Sequence, residues 1–96
     1  MENPKNITLR IISPERVIYQ GAINHIVLPA ADGEIGIFQH HSPYMTYLKP
    51  GTLQIFMPDG RVLPLDISSG LVEFKEDRLT ILTRDRIDAH ECLSAG

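Results

Sequence analysis

Two adjacent imidazoles, His40 and His41, are the side chains best suited to hold a metal ion, with His25 and Asp32 as further ligands to consider. Spacing argues against that use. Neighbouring side chains on an extended segment leave on opposite sides, and the Cys/His spacings of structural zinc are absent. No metal site is expected, and the histidines read as loop and interface residues. Asp32 and Glu34 are the nearest approach to a carboxylate pair. They flank a turn glycine, Gly33, where both are solvated. No other acid is placed to oppose them, as glycoside hydrolysis requires. Asp32 then reads as turn chemistry and Glu34 as a surface charge. Ser42, Ser68 and Ser69 lack the strand–turn–helix setting of a nucleophile elbow. A Ser-His-Asp triad is a spatial arrangement, and nothing in the chain selects one. No glycine-lysine loop offers a phosphate cradle. No catalytic residue, metal or cofactor is therefore expected.

Short strands must carry these groups. Residues 7–13 are rich in β-branched side chains, and Ser13-Pro14-Glu15 breaks the run. Further strands are expected over 16–20, 23–28, 34–38, 44–48, 52–57, 61–67, 71–75 and 78–83. Gly21 ends the second, and Asp32-Gly33 is a hairpin-turn signal. Lys49-Pro50-Gly51, Pro58-Asp59-Gly60 and Ser68-Ser69-Gly70 supply further turns. Leu53, Ile55 and Met57 share one face of their strand, and Leu79 and Ile81 one face of theirs. Pro64 cannot donate to a ladder and belongs at an edge or bulge. Roughly nine or ten strands with this spacing are the signature of a sandwich or barrel. No gap is long enough for a βαβ crossover helix. The strands place one domain over residues 1–84. Residues 85–96 read as a short tail, in which Asp85 or Asp88 can cap a marginal helical stub.

Ninety-six residues with 43% hydrophobic and 22% charged content suit one globular core. A net charge of −3, with basic residues scattered singly, excludes a general nucleic-acid binder. Cys92 is the single cysteine, so no internal disulfide forms. The first six residues carry no apolar signal-peptide core, and no apolar run approaches the roughly 20 residues of a membrane helix. A membrane role would have to work through a partner. Tyr19, Tyr44, Met45 and Tyr47 are residues of the kind that anchor interfaces. Read from residues alone, the chain is a small all-β interaction domain without catalysis.

The block Gly33-Glu34-Ile35-Gly36-Ile37-Phe38, followed by His41-Ser42-Pro43 and Lys49-Pro50-Gly51, resembles the signature loop of the epsilon subunit of F-type ATP synthases. Leu9-Arg10-Ile11-Ile12-Ser13-Pro14-Glu15 is similar to that family's opening strand. Tyr19-Gln20-Gly21 is similar to its aromatic-x-Gly, and Ser69-Gly70-Leu71-Val72-Glu73 to its later glycine strand. The resemblance runs from about Thr8 to Thr83 with these elements in register.

The resemblance implies a flattened ten-strand β-sandwich of two five-strand sheets. It implies a non-catalytic place in the central rotor stalk, docked on the gamma subunit and seated on the membrane ring of c subunits. The implied location is peripheral, on the cytoplasmic face of the inner membrane. Contacts to the c ring carry over to Ala31, Gly33 and Glu34, with Tyr19 matching an aromatic near the ring-facing end. Contacts to gamma carry over to His41, Ser42 and Met45. Family members continue into a helical hairpin that regulates hydrolysis and, in some, binds ATP through an Ile/Leu-Asp-x-x-Arg-Ala pattern. Here Ile87-Asp88 is followed by Glu91-Cys92, and the sequence stops at Gly96. A carboxylate in place of the guanidinium repels phosphate, so ATP sensing and inhibition are expected to be absent. The alternative is an unrelated β-sandwich that binds a ligand or carbohydrate.

Overall fold

Ile7, Leu9 and Ile11 alternate with Thr8 and Arg10. That two-residue period builds a strand with one buried and one exposed face. The computed structural model describes residues 6–83, which form nine strands. They are β1 (Ile7–Ile12), β2 (Val17–Ile23), β3 (His25–Ala30), β4 (Gly33–Ile37), β5 (Tyr44–Leu48), β6 (Gly51–Phe56), β7 (Val62–Ile67), β8 (Gly70–Lys75) and β9 (Arg78–Thr83). The tail from residue 85, with its helical stub and the Glu91-Cys92 substitution, lies outside the described residues.

Hydrogen bonding joins the strands in the order β2-β1-β9-β8-β5-β3-β6-β7, with β4 on β3. The join between β5 and β3 is the single pair Ala30↔Leu48. The path thus divides into a run of β2-β1-β9-β8-β5 and a run of β4-β3-β6-β7. Both contribute to one buried cluster: Leu9, Ile11, Val72, Phe74 and Ile81 from the first, Ile26, Leu28, Ile37, Leu53 and Ile55 from the second. The sheet therefore curls so that its two runs face each other across a shared core. Among the described residues there are nine strands in one curled sheet, eight along its path and β4 beside β3; the resemblance implied ten in two sheets of five.

All the expected strand stretches reappear, with shifts at the ends. Gly21 lies inside β2, paired with Leu9, and does not end it. β3 runs on through Pro29 to Ala30. The missing Pro29 N–H costs nothing, for a local reason. Its carbonyl accepts the Lys49 N–H at 2.8 Å, so the N–H side faces the turn where β5 hands over to β6. Pro64 is in β7, the strand at the end of the path, as an edge requires. One pair, β1 with β9, is parallel. The two strands come from opposite ends of the domain, so no crossover helix is needed between them.

Candidate functional site

Two polar segments join the strands at opposite ends of β4. At one end, the β3–β4 turn places Ala31 and Asp32 between the paired residues Ala30 and Gly33. Neither central residue has positive φ, whereas Gly33 takes φ 128°, so the Asp-Gly signal marks the exit of the turn and not its centre. Ala31, Asp32, Gly33 and Glu34 are all exposed. The turn is fixed from below by the Ala31 N–H, which donates to the Tyr47 carbonyl at 2.9 Å. It presents two carboxylates, Asp32 and Glu34, on a rigid base.

At the other end, β4 stops at Ile37 and the chain loops through Pro43 into β5. The His41 N–H donates to the Phe38 carbonyl at 3.2 Å, closing a turn with His40 at φ 67°. The segment is therefore not extended, and backbone reversal parts the two imidazoles. His41 Nδ1 lies 2.7 Å from the Ser42 carbonyl oxygen. The His41 ring meets Phe74 edge-on at 5.9 Å and Tyr44 at 5.8 Å. His40 turns instead to Asp77, its Nε2 3.5 Å from the carboxylate. Ser42 and Met45 are exposed, Met45 at 60%. His41, Ser42 and Met45 thus share one loop and strand start.

Tyr19 stands apart from the turn it was grouped with. Its hydroxyl rests on the Met57 sulfur at 3.7 Å. Met57 follows β6 at the end where Phe56 pairs with His25, while Gly51, at the other end of β6, abuts Pro29 beside the turn. Burial raises the Tyr19 pKa, and the nearby Arg61 guanidinium partly offsets this. Arg61 also donates to Asp59 from its backbone N–H at 3.0 Å and from Nε at 2.9 Å. The backbone bond leads in holding the Asp59 pKa below its ordinary value.

The third histidine weighed as a metal ligand has a different partner again. His25 lies between Phe38 at 4.4 Å and Phe56 at 4.1 Å, its plane within 15° and 9° of theirs. Gly36 leaves room for the Phe38 ring, since a Cβ there would lie 3.2 Å from it. Among the described residues, no three His, Cys, Asp or Glu side chains gather where an ion could bind. Burial in the stack pushes the His25 pKa below the usual histidine value. The unfolded chain then takes up a proton at His25 before the folded chain does. Stability linked to this ring is full above the unfolded pKa and is lost as pH falls through the lower folded one. His25→Phe keeps a flat apolar ring and cannot titrate. Between about pH 7.5 and about pH 5 the wild type should therefore lose more melting temperature than the variant. Parallel melting curves would show that this ring carries no linkage.

Sequence reasoning left one exposed apolar strip unassembled. Tyr47, Leu71 and Leu82 are cross-strand neighbours on β5, β8 and β9. Tyr47 is 71% exposed, and the strip borders a groove of about 630 Å³ with Ser13 and Pro14 at its rim. The signal was the alternation that sends Leu82 to the face opposite Leu79 and Ile81; it could be read for each strand but not across them. Among the described residues, no helix is long and apolar enough to cross a membrane.

Comparison with known proteins bears on the family and the fold. The epsilon chain of Desulforamulus reducens ATP synthase is 38% identical over 86 residues, covering 88% of this chain and 64% of that one. The ATP synthase epsilon chain of a Psychrobacter species is 34% identical, covering 85% of this chain and 59% of that one. The chain therefore spans about three fifths of the length of these curated relatives. In fold it matches a chain of the Euglena gracilis mitochondrial ATP synthase OSCP/F1/c-ring structure with a TM-score of 0.81, at 22% identity, over 99% of this chain and 64% of that one. A chain of the Tetrahymena thermophila mitochondrial ATP synthase central stalk/c-ring structure gives 0.66, at 16% identity, over 81% and 63%. The family model of the ATP synthase delta/epsilon chain beta-sandwich domain spans residues 6–89, and this chain belongs to that family.

Proposed function

We propose that this chain is a non-catalytic central-stalk subunit of a rotary ATP synthase, linking ion-driven rotation of the membrane c ring to ATP synthesis through gamma. The observation that carries the reading is the placement of the two candidate contact sets. The acidic turn at Ala31, Gly33 and Glu34 and the loop at His41, Ser42 and Met45 lie at opposite ends of β4. A subunit held between two partners needs two contact surfaces joined by something stiff. Here β4 and β5 connect them over about 15 Å, at roughly 3.3 Å per residue. Both strands pack into one close-packed core that transmits strain.

The turn is the ring-facing side of this proposal. Its two carboxylates suit a basic polar loop, and an exposed pair of that kind sets register more than affinity. Tyr19, beside Met57, lies away from this turn, so Ala31, Gly33 and Glu34 are the ring-contact candidates that share one surface. The gamma-facing side is the His41 loop with Met45. The subunit would sit peripherally on the cytoplasmic side of the membrane, without inserting. Family membership removes the motive for an unrelated ligand- or carbohydrate-binding module.

Glu34→Lys tests the ring contact. Glu34 is exposed and belongs to no described ion pair, so stability should change by no more than about 0.5 kcal/mol. Reversing a charge at a complementary contact should slow docking on purified c ring and alter its salt dependence. The paired measurements are thermal melting and ring binding across salt concentration. Unchanged ring binding by a folded variant would remove Glu34 from the contact.

A further inference from the structure

Three non-glycine residues among those described take left-handed backbone angles: His40 at φ 67°, Glu76 at φ 52° and Asp77 at φ 60°. Such angles cost energy in a residue with a Cβ and persist where the surroundings over-determine them. Glu76 and Asp77 form the two-residue β8–β9 turn, between the paired Lys75 and Arg78. Positive φ at both central positions is the type I′ arrangement that suits a tight hairpin. His40 belongs to a different loop, 37 residues earlier in the chain. The two are fastened to each other. The His40 backbone N–H donates to Asp77 Oδ1 at 2.6 Å, and His40 Nε2 lies 3.5 Å from Oδ2. The Asp77 carbonyl in turn accepts the Thr8 N–H at 3.0 Å, tying the turn to the start of β1.

We propose that Asp77 is a positioning residue for gamma docking: its carboxylate locks the His40 turn and so presents His41, Ser42 and Met45 in one fixed arrangement. This rests on the reading of that loop as the gamma-facing surface. The backbone hydrogen bond dominates the effect. It is short and charge-assisted, and its acceptor is partly shielded. The imidazole contact is longer and its His40 side chain is 76% exposed, so it adds little. Without the carboxylate the turn around His40 keeps the His41 N–H bond to the Phe38 carbonyl, at 3.2 Å, but loses the shorter bond that engages the His40 amide itself. The loop then samples other conformations, and docking must select the competent one.

Two substitutions separate this clamp from the turn that carries it. Asp77→Gly suits the positive φ and keeps the backbone bond to Thr8, but removes the acceptor. Asp77→Asn tolerates the same φ and keeps an acceptor oxygen without the charge. The experiment measures affinity of the whole 96-residue chain for purified gamma subunit, with melting temperature and amide exchange at His40. Met45→Arg serves as the reference that disrupts the surface itself. The expected result is an undiminished melting temperature for Asp77→Gly, faster exchange at the His40 amide, and affinity reduced about tenfold, the loss of roughly one charge-assisted hydrogen bond. Asp77→Asn should stay within about threefold of wild type. If Met45→Arg weakens binding and Asp77→Gly does not, the clamp is overturned while the gamma-facing surface stands. If neither weakens binding, the surface reading falls, and the clamp with it. If Asp77→Asn is as weak as Asp77→Gly, an acceptor oxygen is not what holds the loop, and the proposal is overturned as stated.

Discussion

Replacing Phe74 with alanine will destabilise the domain by about 3–5 kcal/mol, a large share of the roughly 5–15 kcal/mol that holds a small domain together. Phe74 is 1% exposed and is the largest fully buried side chain among those described. It stands on β8 opposite Tyr44 and Leu79, and it belongs to the buried cluster that both runs of strands share. Truncation removes its apolar burial and leaves a cavity that the two packed runs cannot close. The effect reaches the loop as well, because the His41 ring is packed edge-on against Phe74. Phe74→Leu, which fills most of the space, should cost far less and still release His41. Chemical denaturation of the three proteins checks this. A loss under about 1 kcal/mol for Phe74→Ala would mean that the core can collapse around the gap.

Gly70→Ala is expected to cost about 3 kcal/mol through a clash with no simple relief. A Cβ at Gly70 would lie 2.6 Å from the Leu82 carbonyl oxygen, on the partner strand β9. That oxygen is backbone, and β9 is held between β8 and β1. The neighbouring Thr83 hydroxyl donates to the Ser69 carbonyl at 3.2 Å, so the strand ends are tied at this point. Gly21→Ala is the matched control. Its Cβ would meet the Tyr19 hydroxyl at 3.5 Å, an ordinary contact with a side chain that can move. It should cost no more than about 1 kcal/mol. Equal losses at the two positions would show that close approach is not what reserves Gly70.

What the sequence made legible was local. The two-residue alternation of Leu79 and Ile81 against Thr80 and Leu82 gave both the strand and its buried face. Pro64 announced an edge because its missing donor leaves few other places. Strand ends were less certain. Gly21 and Pro29 are punctuation by type, yet one sits in a ladder and the other faces a turn that needs no donor from it. The β8–β9 turn was located, but Glu76-Asp77 in place of the usual Asn-Gly hid its left-handed geometry.

The site was legible only in part for the same reason. The turn at Glu34 and the loop at His41 were found from residue types and from resemblance. That they lie at opposite ends of one strand follows from chain order; that this strand is anchored in the sheet follows from the pairing of β4 along β3, which no local pattern gives. The bond from His40 to Asp77 and the stacking of His25 on Phe38 and Phe56 join residues remote in the chain. No local pattern encodes them. Tyr19 is a similar case: a matching residue type aligned it with an aromatic near the ring-facing end, but nothing local encodes the packing of its hydroxyl on Met57.

The central claim is that this sandwich couples ring rotation to synthesis. The most direct measurement is ion-driven ATP synthesis by the enzyme of the encoding organism, reconstituted in vesicles after removal of this subunit. Adding back the 96-residue chain should restore synthesis, and Glu34→Lys should restore less of it at equal protein concentration. If the chain binds the stripped enzyme and synthesis stays at the depleted level, the claim that it couples rotation is contradicted.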